Sequence, residues 1–224
     1  MLNQDIYQMI TNIKEEKAYE NFQISIVNES NIQIGFLKPV SLNLINNHND
    51  VLSLLTKWRR MFMKYFLTQF TPTIHRTSKW LREIVIPSKD RILFLIYSSD
   101  DTLIGNFGIC GIKHHEVELD NLIRGEKGGD PQLIYHTEIS LLNWVFSQLK
   151  VSSVVLHAFS NNHKTIALHE KVGFKIVEEY PLWKKSSDHE VVYSTTDKSG
   201  ELANFSYLKM IMTQDEFKVK HPTY

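Results

Sequence analysis

Cysteine is nearly absent from the 224 residues, because Cys110 is the only one, and this excludes an intrachain disulfide and a cysteine-rich zinc site. Such scarcity of thiols favours a reducing compartment, so we expect a cytoplasmic protein. Long apolar runs are also missing, since none approaches the ~20 residues of a membrane-spanning helix. The N-terminal segment lacks the basic start and the apolar stretch of a secretion signal. We therefore expect no membrane partner.

An excess of either charge is missing as well. The 25 Lys and Arg residues equal the 25 Asp and Glu residues, whereas a protein that binds the phosphates of nucleic acid usually carries a basic excess. Nine Gly, six Pro and 42% hydrophobic residues exclude collagen-like and disordered classes. We expect a globular protein without a nucleic-acid partner, long enough for one domain with an added end.

The start of the chain looks like an appended helix and hairpin. Apolar residues recur at helical spacing from Ile6 to Ile13, and in residues 22–36 they alternate around a polar turn. We therefore divide the chain into an N-terminal extension, residues 1–34, and a main domain, residues 35–224.

Two helices are predicted before the sheet, over residues 51–66 and 71–85. Asp50 is the predicted N-cap of the first. Thr71 is expected to open the second, with Pro72 at the first helical position.

The rest of the main domain predicts a mixed α/β sheet. Strand-type runs cover residues 91–98, 102–112, 117–123, 151–160 and 205–212, and helices are predicted over 131–150 and 163–172. The first two strands form a hairpin. The strand–helix–strand order that follows implies a right-handed crossover, which makes its two strands parallel neighbours.

A glycine-bearing loop, residues 124–131, joins a predicted strand to a long helix. Free backbone N–H groups and the helix dipole attract phosphate at such a point, and Gly125, Gly128 and Gly129 allow the backbone to approach an anion. Arg124 and Lys127 add positive charge. The alternative is a tight connection only, because Asp130 followed by Pro131 reads as a helix start whose carboxylate competes for the same amides.

The segment SNNHKTIALHEKVGF, residues 160–174, follows that loop after one helix and one strand. Together the two segments resemble the acyl-CoA-binding half of the GNAT N-acetyltransferase superfamily. There, Arg/Gln-x-x-Gly-x-Gly/Ala opens a long helix and Asn-x-x-Ala-x-x-Leu-Tyr-x-x-x-Gly-Phe marks the next one. The resemblance covers about residues 36–180, including the order of helices, hairpin, strand and loop.

This resemblance implies a GNAT acyl-CoA N-acyltransferase fold, an α/β mixed sheet splayed open between central parallel strands 116–123 and 151–159. It implies acyl-CoA as cosubstrate, with pantetheine in the gap like an extra strand and the pyrophosphate on the amides of residues 124–129. It implies no metal. The residues expected to bind the coenzyme are Leu122, Ile123, Arg124, Gly125, Lys127, Gly128, Gly129 and Asn162.

Both motifs depart from the family pattern. The glycine motif is one residue off in spacing, which leaves the individual phosphate contacts open. His169 stands where the family usually has a Tyr that protonates the departing thiolate, and Thr165 replaces the usual Ala. Histidine, with a reference pKa of ~6.5, donates a proton only where its surroundings keep it protonated. A thiol with a reference pKa of ~8.5 can also leave as the thiolate, without a proton donor. His169 as catalytic acid and unassisted departure both stay open.

An amine attacks a thioester only with a free lone pair, so a base or a water chain must take a proton from its ammonium form. Glu118 and Asp120 lie on one side of their strand by alternation, with Asn121 on the other, and either carboxylate is a candidate base. The alternative is that both support the loop, through backbone hydrogen bonds or a pair with Arg124. His157 on the facing strand is either a relay or a locally bonded residue.

The segments ELDNLIRG and WRRMFMKYFLTQFTP resemble, more narrowly, GNAT enzymes that N-acylate amino-sugar nucleotides at the 3-amino group of a dTDP-linked dideoxyhexose. Trp58 and Arg59 are candidate substrate contacts, because aromatic faces suit a thymine or sugar ring and a guanidinium suits a diphosphate. Asn121 and His157 complete the predicted substrate set. The alternative for the helix is a packing stripe with solvated arginines.

We therefore expect an acyl-CoA-dependent N-acyltransferase that moves an acetyl or short hydroxyacyl group to the amine of a nucleotide-linked amino sugar by direct attack. One alternative is a GNAT enzyme acting on a protein N-terminus or a small-molecule amine. Another is a non-catalytic CoA-binding module. The N-terminal hairpin and the last strand either pair across a homodimer or cap the sheet edge.

Overall fold

The computed structural model describes residues 4–15 and 22–224. The helices are α1 Gln4–Lys14, α2 Leu42–Asn47, α3 Asn49–Phe62, α4 Ile74–Trp80, α5 Leu133–Trp144, α6 His163–Val172 and α7 Gln214–Lys220. The strands are β1 Ile24–Val27, β2 Gln33–Pro39, β3 Thr68–Phe70, β4 Ile92–Ser98, β5 Leu103–Cys110, β6 Glu116–Arg124, β7 Ser153–Phe159, β8 Lys175–Ser186, β9 Glu190–Ser194 and β10 Glu201–Thr213. A 3-10 turn follows α3 at Met63–Tyr65, and wider helical turns extend α4 over Leu81–Val85 and α5 over Val145–Leu149.

The ten described strands form one mixed sheet in the order β1-β2-β4-β5-β6-β7-β10-β8-β9-β3. Among the described strands the only parallel neighbours are β6 and β7, which α5 connects as a crossover. The mixed α/β sheet, the β4–β5 hairpin and the parallel pair are therefore confirmed.

The parallel pair separates before either strand ends. Register pairs run from Glu116 with Ser153 to Leu119 with Leu156, whereas β6 continues to residue 124 and β7 to residue 159. Among the strands that the structure describes, the last part of β6 therefore has no partner on its β7 side. This is the opening between central strands that the fold class predicts.

A bulge in β6 turns side chains toward that opening. Asn106 of β5 pairs with Ile123 and Gly108 pairs with Asp120, so β6 carries one extra residue in this stretch. Asn121 has a φ of 54°, and its carbonyl oxygen accepts a hydrogen bond from Nδ2 of Asn106 at 2.6 Å. Simple alternation is wrong here, because the bulge brings the Asn121 amide onto the Asp120 carboxylate instead of the opposite face.

The central strand β4 is buried on both faces. Ile92, Phe94 and Ile96 belong to one hydrophobic core with residues of α1, α5, α6 and α7, and Leu93 and Leu95 belong to a second core with residues of α2, α3 and α4. The sheet therefore carries a helical layer on each face. None of the helices in the described ranges is both long and apolar enough to cross a membrane.

The N-terminal segment joins the main sheet. The boundary expected between residues 34 and 35 falls inside β2, which pairs with β1 on one side and β4 on the other. Ile10 and Ile13 of α1 are buried in the same core as the sheet. Residues 1–3 and 16–21 of the expected extension lie outside the described residues.

Several boundaries differ from the expected ones. Asp50 lies inside α3, whose N-cap is His48, and α4 begins after Thr73, whose hydroxyl accepts a hydrogen bond from the Arg76 amide, rather than at Thr71. The three-residue strand β3 and its partner β9 were not predicted, because such short strands show little alternation.

Candidate active site

A cleft of about 1100 Å³ opens where β6 and β7 separate. One wall consists of the diverging strands and the first turns of α6. The other consists of residues from α3, the segment 64–72 and α4. One continuous cleft therefore joins the strand gap to the helices from which substrate contacts were expected.

The loop from β6 to α5 carries a run of consecutive free amides. The N–H groups of Lys127, Gly128 and Gly129 have no acceptor within the described part of the chain. Gly128 and Gly129 have φ values of 123° and 65°, which side-chain-bearing residues rarely adopt. Arg124 donates from Nη2 to the Gly128 carbonyl at 2.8 Å and braces the loop. Such a run of N–H groups suits an anion with several oxygens, such as a diphosphate.

Other polar groups of the same loop are used internally. The amides of Gly125 and Glu126 both donate to the Ile104 carbonyl at 2.9 Å, so the predicted backbone contact from Gly125 to a phosphate is not available. Asp130 is not the helix N-cap, and Oδ1 of its carboxylate accepts a hydrogen bond from the Gln132 amide at 2.7 Å. The Asp130 carboxylate therefore occupies the Gln132 amide and leaves the amides of residues 127–129 open.

Trp58 supports this loop from below and lies outside the cleft lining. Its side chain is 0% exposed, and a Cβ added at Gly125 would overlap the indole ring. Its Nε1 donates to Oε1 of Glu126 at 2.8 Å. Hydrogen bonds from Lys57 and Trp58 lower the pKa of Glu126, which keeps that carboxyl ionised. The expected substrate contact of Trp58 is thus replaced by packing, because the ring fills the space under the loop.

Asn162, Thr165 and His169 line the cleft from one side of α6, at spacings of three and four residues. Nδ1 of His169 lies 2.6 Å from Oε1 of Glu138 on α5, in a pair whose exposure is 4% for His169 and 0% for Glu138. Oε2 of Glu138 has no hydrogen-bond partner among the described residues. The residue expected as catalytic acid is therefore held against a buried carboxyl group.

Glu118 and His157 meet across the strand gap. Oε1 of Glu118 lies 2.8 Å from Nδ1 of His157, whose ring stacks on Tyr207 with centroids 5.0 Å apart. Burial, together with the negative charges of Glu118 and Asp120, raises the pKa of Tyr207 well above its ordinary value, so the phenol stays protonated at neutral pH. Glu118, His157 and Tyr207 all line the cleft. Glu118 does not pair with Arg124, which had been one alternative.

Asp120 is committed to other partners in the same cleft. Its Oδ2 accepts hydrogen bonds from Nη1 of Arg91 and Nδ2 of Asn121, each at 2.6 Å. Burial lowers the pKa of Arg91, but the charge and hydrogen bond of Asp120, together with the neighbouring Asp90 and Cys110, raise it, and the net shift is upward. With two donors already on one oxygen of Asp120, Glu118 is the better placed carboxylate to receive a proton.

Cys110, at the end of β5, is not a nucleophile in this arrangement. Burial raises the pKa of its thiol far above the ordinary value, and the charges of Asp120 and Glu118 raise it further. The thiol therefore stays protonated and inert. Across residues 4–15 and 22–224, no group of three or more His, Cys, Asp or Glu residues is arranged to hold a metal ion.

Two arginines project along the helical wall, each against an aromatic ring. Cζ of Arg59 lies 3.3 Å from the Phe66 ring centroid, and Cζ of Arg76 lies 4.6 Å from that of Phe70. Burial lowers the pKa of Arg59 to about 10, partly offset by the charge of Asp120, so the guanidinium remains cationic at neutral pH. The predicted contact Arg59 thus lies in the cleft as half of a stacked pair.

Three residues of the site were not predicted from the sequence: Glu138, Arg91 and Tyr207. The sequence does indicate that Glu138 is buried, because the apolar residues Ile134 and Leu142 lie one helical turn away on either side and share its face of the helix. Arg91 bonds Asp120, which lies 29 positions away, and Tyr207 stacks on His157, which lies 50 positions away. The local sequence pattern does not indicate such distant contacts.

The comparisons with known proteins agree with this geometry. A family model described as an acetyltransferase (GNAT) domain matches residues 45–190, more than half of the chain. The chain therefore belongs to the GNAT acetyltransferase family. It is an acyl-CoA-dependent N-acetyltransferase of the GNAT type.

Solved structures share the fold at low sequence identity. The spermidine N-acetyltransferase of Vibrio cholerae, in complex with CoA and spermine, has 15% identity and a TM-score of 0.60, covering 81% of this chain and 96% of its own. The apo form of FdhC, described as a nucleotide-linked sugar GNAT, has 15% identity and a TM-score of 0.60, covering 90% and 97%. A probable GNAT acetyltransferase of Chromobacterium violaceum has 16% identity and a TM-score of 0.63, covering 87% and 88%. Among curated protein sequences no match was found.

Proposed function

We propose that this protein transfers an acetyl or short hydroxyacyl group from acyl-CoA to the amino group of a nucleotide-linked amino sugar. The observation that carries the proposal is the charge of the cleft. Its lining includes six cationic side chains, Arg59, Lys64, Arg76, Arg91, Arg124 and Lys164, against two carboxylates, Glu118 and Asp120. A cleft with this excess of positive charge attracts an anionic substrate such as a nucleoside diphosphate.

The coenzyme would lie in the strand gap and along the loop that continues from Arg124, which is the residue of that loop in the cleft lining. The free amides of Lys127, Gly128 and Gly129 would hold the diphosphate of acyl-CoA, and Leu122, Ile123 and Asn162 would flank its pantetheine arm. Beyond Leu119, β6 pairs with no described strand on the gap side, so its backbone groups there could bond the arm and polarise the thioester carbonyl.

The reacting amine would lie over the pair of Glu118 and His157. In the proposed reaction, Glu118 takes a proton from the substrate ammonium through His157 or a water, and the freed nitrogen lone pair attacks the thioester carbon. The new C–N bond forms first, the C–S bond then breaks with its electron pair on sulfur, the nitrogen gives up its second proton to water, and the thiolate receives a proton. No covalent enzyme intermediate is involved, which agrees with the inert thiol of Cys110.

The helical wall would bind the nucleotide. The guanidiniums of Arg59 and Arg76 are backed by Phe66 and Phe70, and a planar guanidinium makes paired hydrogen bonds to phosphate oxygens. Tyr65, on the same wall, offers an aromatic face for a base or sugar ring. The description of FdhC as a nucleotide-linked sugar GNAT supports the same substrate class.

A polyamine fits this cleft less well. The structural neighbour from Vibrio cholerae is described with spermine, a polycation, whereas four more cations than carboxylates line the present cleft. Both carboxylates are already paired, Asp120 with Arg91 and Glu118 with His157. A polyamine would bring its positive charges next to those of the cleft, and like charges at a binding site weaken binding.

The test is a panel of acceptors with acetyl-CoA, followed by release of free thiol. UDP- and dTDP-linked amino sugars are compared with spermidine, a peptide with a free N-terminus and the free amino sugars. We expect kcat/KM for a nucleotide-linked sugar at least about 100-fold above spermidine, since two lost phosphate contacts are worth roughly 3 kcal/mol. Turnover of spermidine or the peptide alone would reject the sugar nucleotide. Binding of acetyl-CoA without turnover of any amine would favour a non-catalytic module.

A further inference from the structure

The buried pair of Glu138 and His169 has an unusual position for two polar side chains. Glu138 lies in the middle of α5, between two turns of buried apolar residues, with 0% exposure. A carboxyl group there costs free energy unless it is bonded to a partner. Among the hydrogen bonds and ion pairs of the described residues, Glu138 has one, to Nδ1 of His169 at 2.6 Å.

His169 connects this buried carboxyl group to the cleft. Its ring lines the cleft beside Thr165, and Nε2 is the ring nitrogen that has no partner among the described residues. The ring also packs edge-on against Phe174, with centroids 5.8 Å apart. Two contacts on the protein side therefore fix the ring orientation and leave Nε2 for a molecule in the cleft.

We infer that Glu138 is a positioning residue that keeps the proton on Nδ1 of His169 and orients Nε2 as the donor to the departing thiolate. A carboxylate oxygen accepts hydrogen bonds, and the 2.6 Å contact of Oε1 with Nδ1 therefore favours the ring form in which Nδ1 is the donor. The negative carboxylate then stabilises the positive charge that the ring carries when Nε2 is protonated as well. The inference rests on the proposed acyl transfer, and it holds for any amine acceptor.

The proton balance of the step is simple. As the C–S bond breaks, its electron pair stays on sulfur, and the proton on Nε2 moves to that sulfur to give the free thiol. The ring returns to the neutral form with its remaining proton on Nδ1, and Nε2 regains a proton from solvent. Glu138 remains a carboxylate throughout, and its contribution is orientation and charge.

The first test needs no amine substrate. Histidine labelled with ¹⁵N in the full chain, assigned by comparison with His169→Gln, gives the protonation of each ring nitrogen by NMR. We expect Nδ1 of His169 to carry a proton. An unprotonated Nδ1, which accepts from a carboxylic acid on Glu138, would overturn the proposal whatever the acceptor substrate is.

The second test separates a positioning role from packing. We expect Glu138→Gln to lower kcat about 10- to 100-fold and to change KM for acetyl-CoA less than about threefold, because binding energy is untouched. Glu138→Asp should restore part of the activity. In a His169→Phe background, Glu138→Gln should have no further effect on kcat. Equal losses in both backgrounds, or no loss in either, would show that Glu138 only packs α5 against α6.

Thermal unfolding of every variant is recorded in parallel. If Glu138→Gln fails to fold, Glu138→Asp is compared with Ser140→Ala, a substitution at a neighbouring buried polar residue of α5 whose hydroxyl has no partner among the described residues. We expect Glu138→Asp to alter the ¹⁵N shifts of His169, and Ser140→Ala to leave them and kcat unchanged. Identical shifts in wild type and Glu138→Asp would contradict the proposal.

Discussion

The indole ring of Trp58 lies directly under Gly125, in the space that a side chain at residue 125 would need. Its Nε1 donates to Glu126, the next residue of the loop. The loop that carries the free amides is thus seated on a helix of the other layer. Any side chain at residue 125 must displace either the ring or the loop.

We therefore expect Gly125→Ala to weaken acetyl-CoA binding by about tenfold or more, because the displaced loop misplaces its amides. Calorimetric titration measures the dissociation constant. Gly111→Ala is the matched control, since a Cβ at Gly111 meets nothing within 4 Å and its positive φ costs only about 1 kcal/mol of stability. Equal acetyl-CoA affinity in the two variants would show that the seating of the loop is unimportant.

Arg59 is expected to bind the anionic part of the acceptor. Arg59→Ala should raise KM for a nucleotide-linked amino sugar about 10- to 100-fold and leave the affinity for acetyl-CoA unchanged, because one charge-assisted contact is lost. Steady-state kinetics with each substrate varied in turn gives both values. Arg60→Ala is the control, since Arg60 is exposed and is not part of the cleft lining. A similar rise in both variants would point to a general effect on α3.

Glu118 is expected to act as the base. Glu118→Gln should lower kcat by about 10²- to 10⁴-fold with little change in KM for acetyl-CoA, because the amide cannot take the ammonium proton. Glu116→Gln, on the same strand and outside the cleft lining, should keep full activity. Full activity in Glu118→Gln would leave deprotonation to water and remove Glu118 from the reaction.

Lys14 gives the protein a pH-dependent stability unrelated to catalysis. Its Nζ donates to the backbone carbonyls of Val85, Ser88 and Arg91. Burial lowers its pKa from 10.5 to about 8, although the charge of Asp90 acts in the opposite direction. The unfolded chain therefore binds more protons between pH 8 and 10.5, so this group makes the fold more stable as the pH rises through that window.

Lys14→Met should cost about 1–3 kcal/mol at pH 7, because three carbonyls lose their donor. The stability difference between wild type and Lys14→Met should then grow from pH 8 to pH 9.5. Urea unfolding at each pH measures it. Lys89→Met, which removes an exposed lysine nearby, should keep the wild-type pH dependence. A difference between wild type and Lys14→Met that stays constant with pH would contradict the lowered pKa.

Much of the fold follows from local pattern. α6 spans residues 163–172 as expected and ends at Gly173, whose φ of 124° suits a glycine after a helix. The order of strand, helix and strand was enough to predict the parallel pair, because only a right-handed crossover returns the chain to the same sheet. The homodimer and the cytoplasmic location stay predictions.

Local pattern did not determine which polar residues share a site. Alternation along β6 predicted that Asp120 and Asn121 lie on opposite faces of the strand. The bulge at Asn121 instead allows its side chain to donate a hydrogen bond to the Asp120 carboxylate. Aromatic character suggested Trp58 for substrate, and burial against Gly125 made it a support for the loop. In both cases a contact from another element decided the outcome.

The amino acids in order were sufficient for the resemblance to the family and, through it, for the expected opening in the sheet, because the two motifs that carry the resemblance lie within some sixty residues. Tertiary structure alone decided the pairs Glu118 with His157, Asp120 with Arg91 and Glu138 with His169, which join residues 39, 29 and 31 positions apart. Such pairs form where packing removes water from two distant side chains at once, and no local property of either residue encodes its partner.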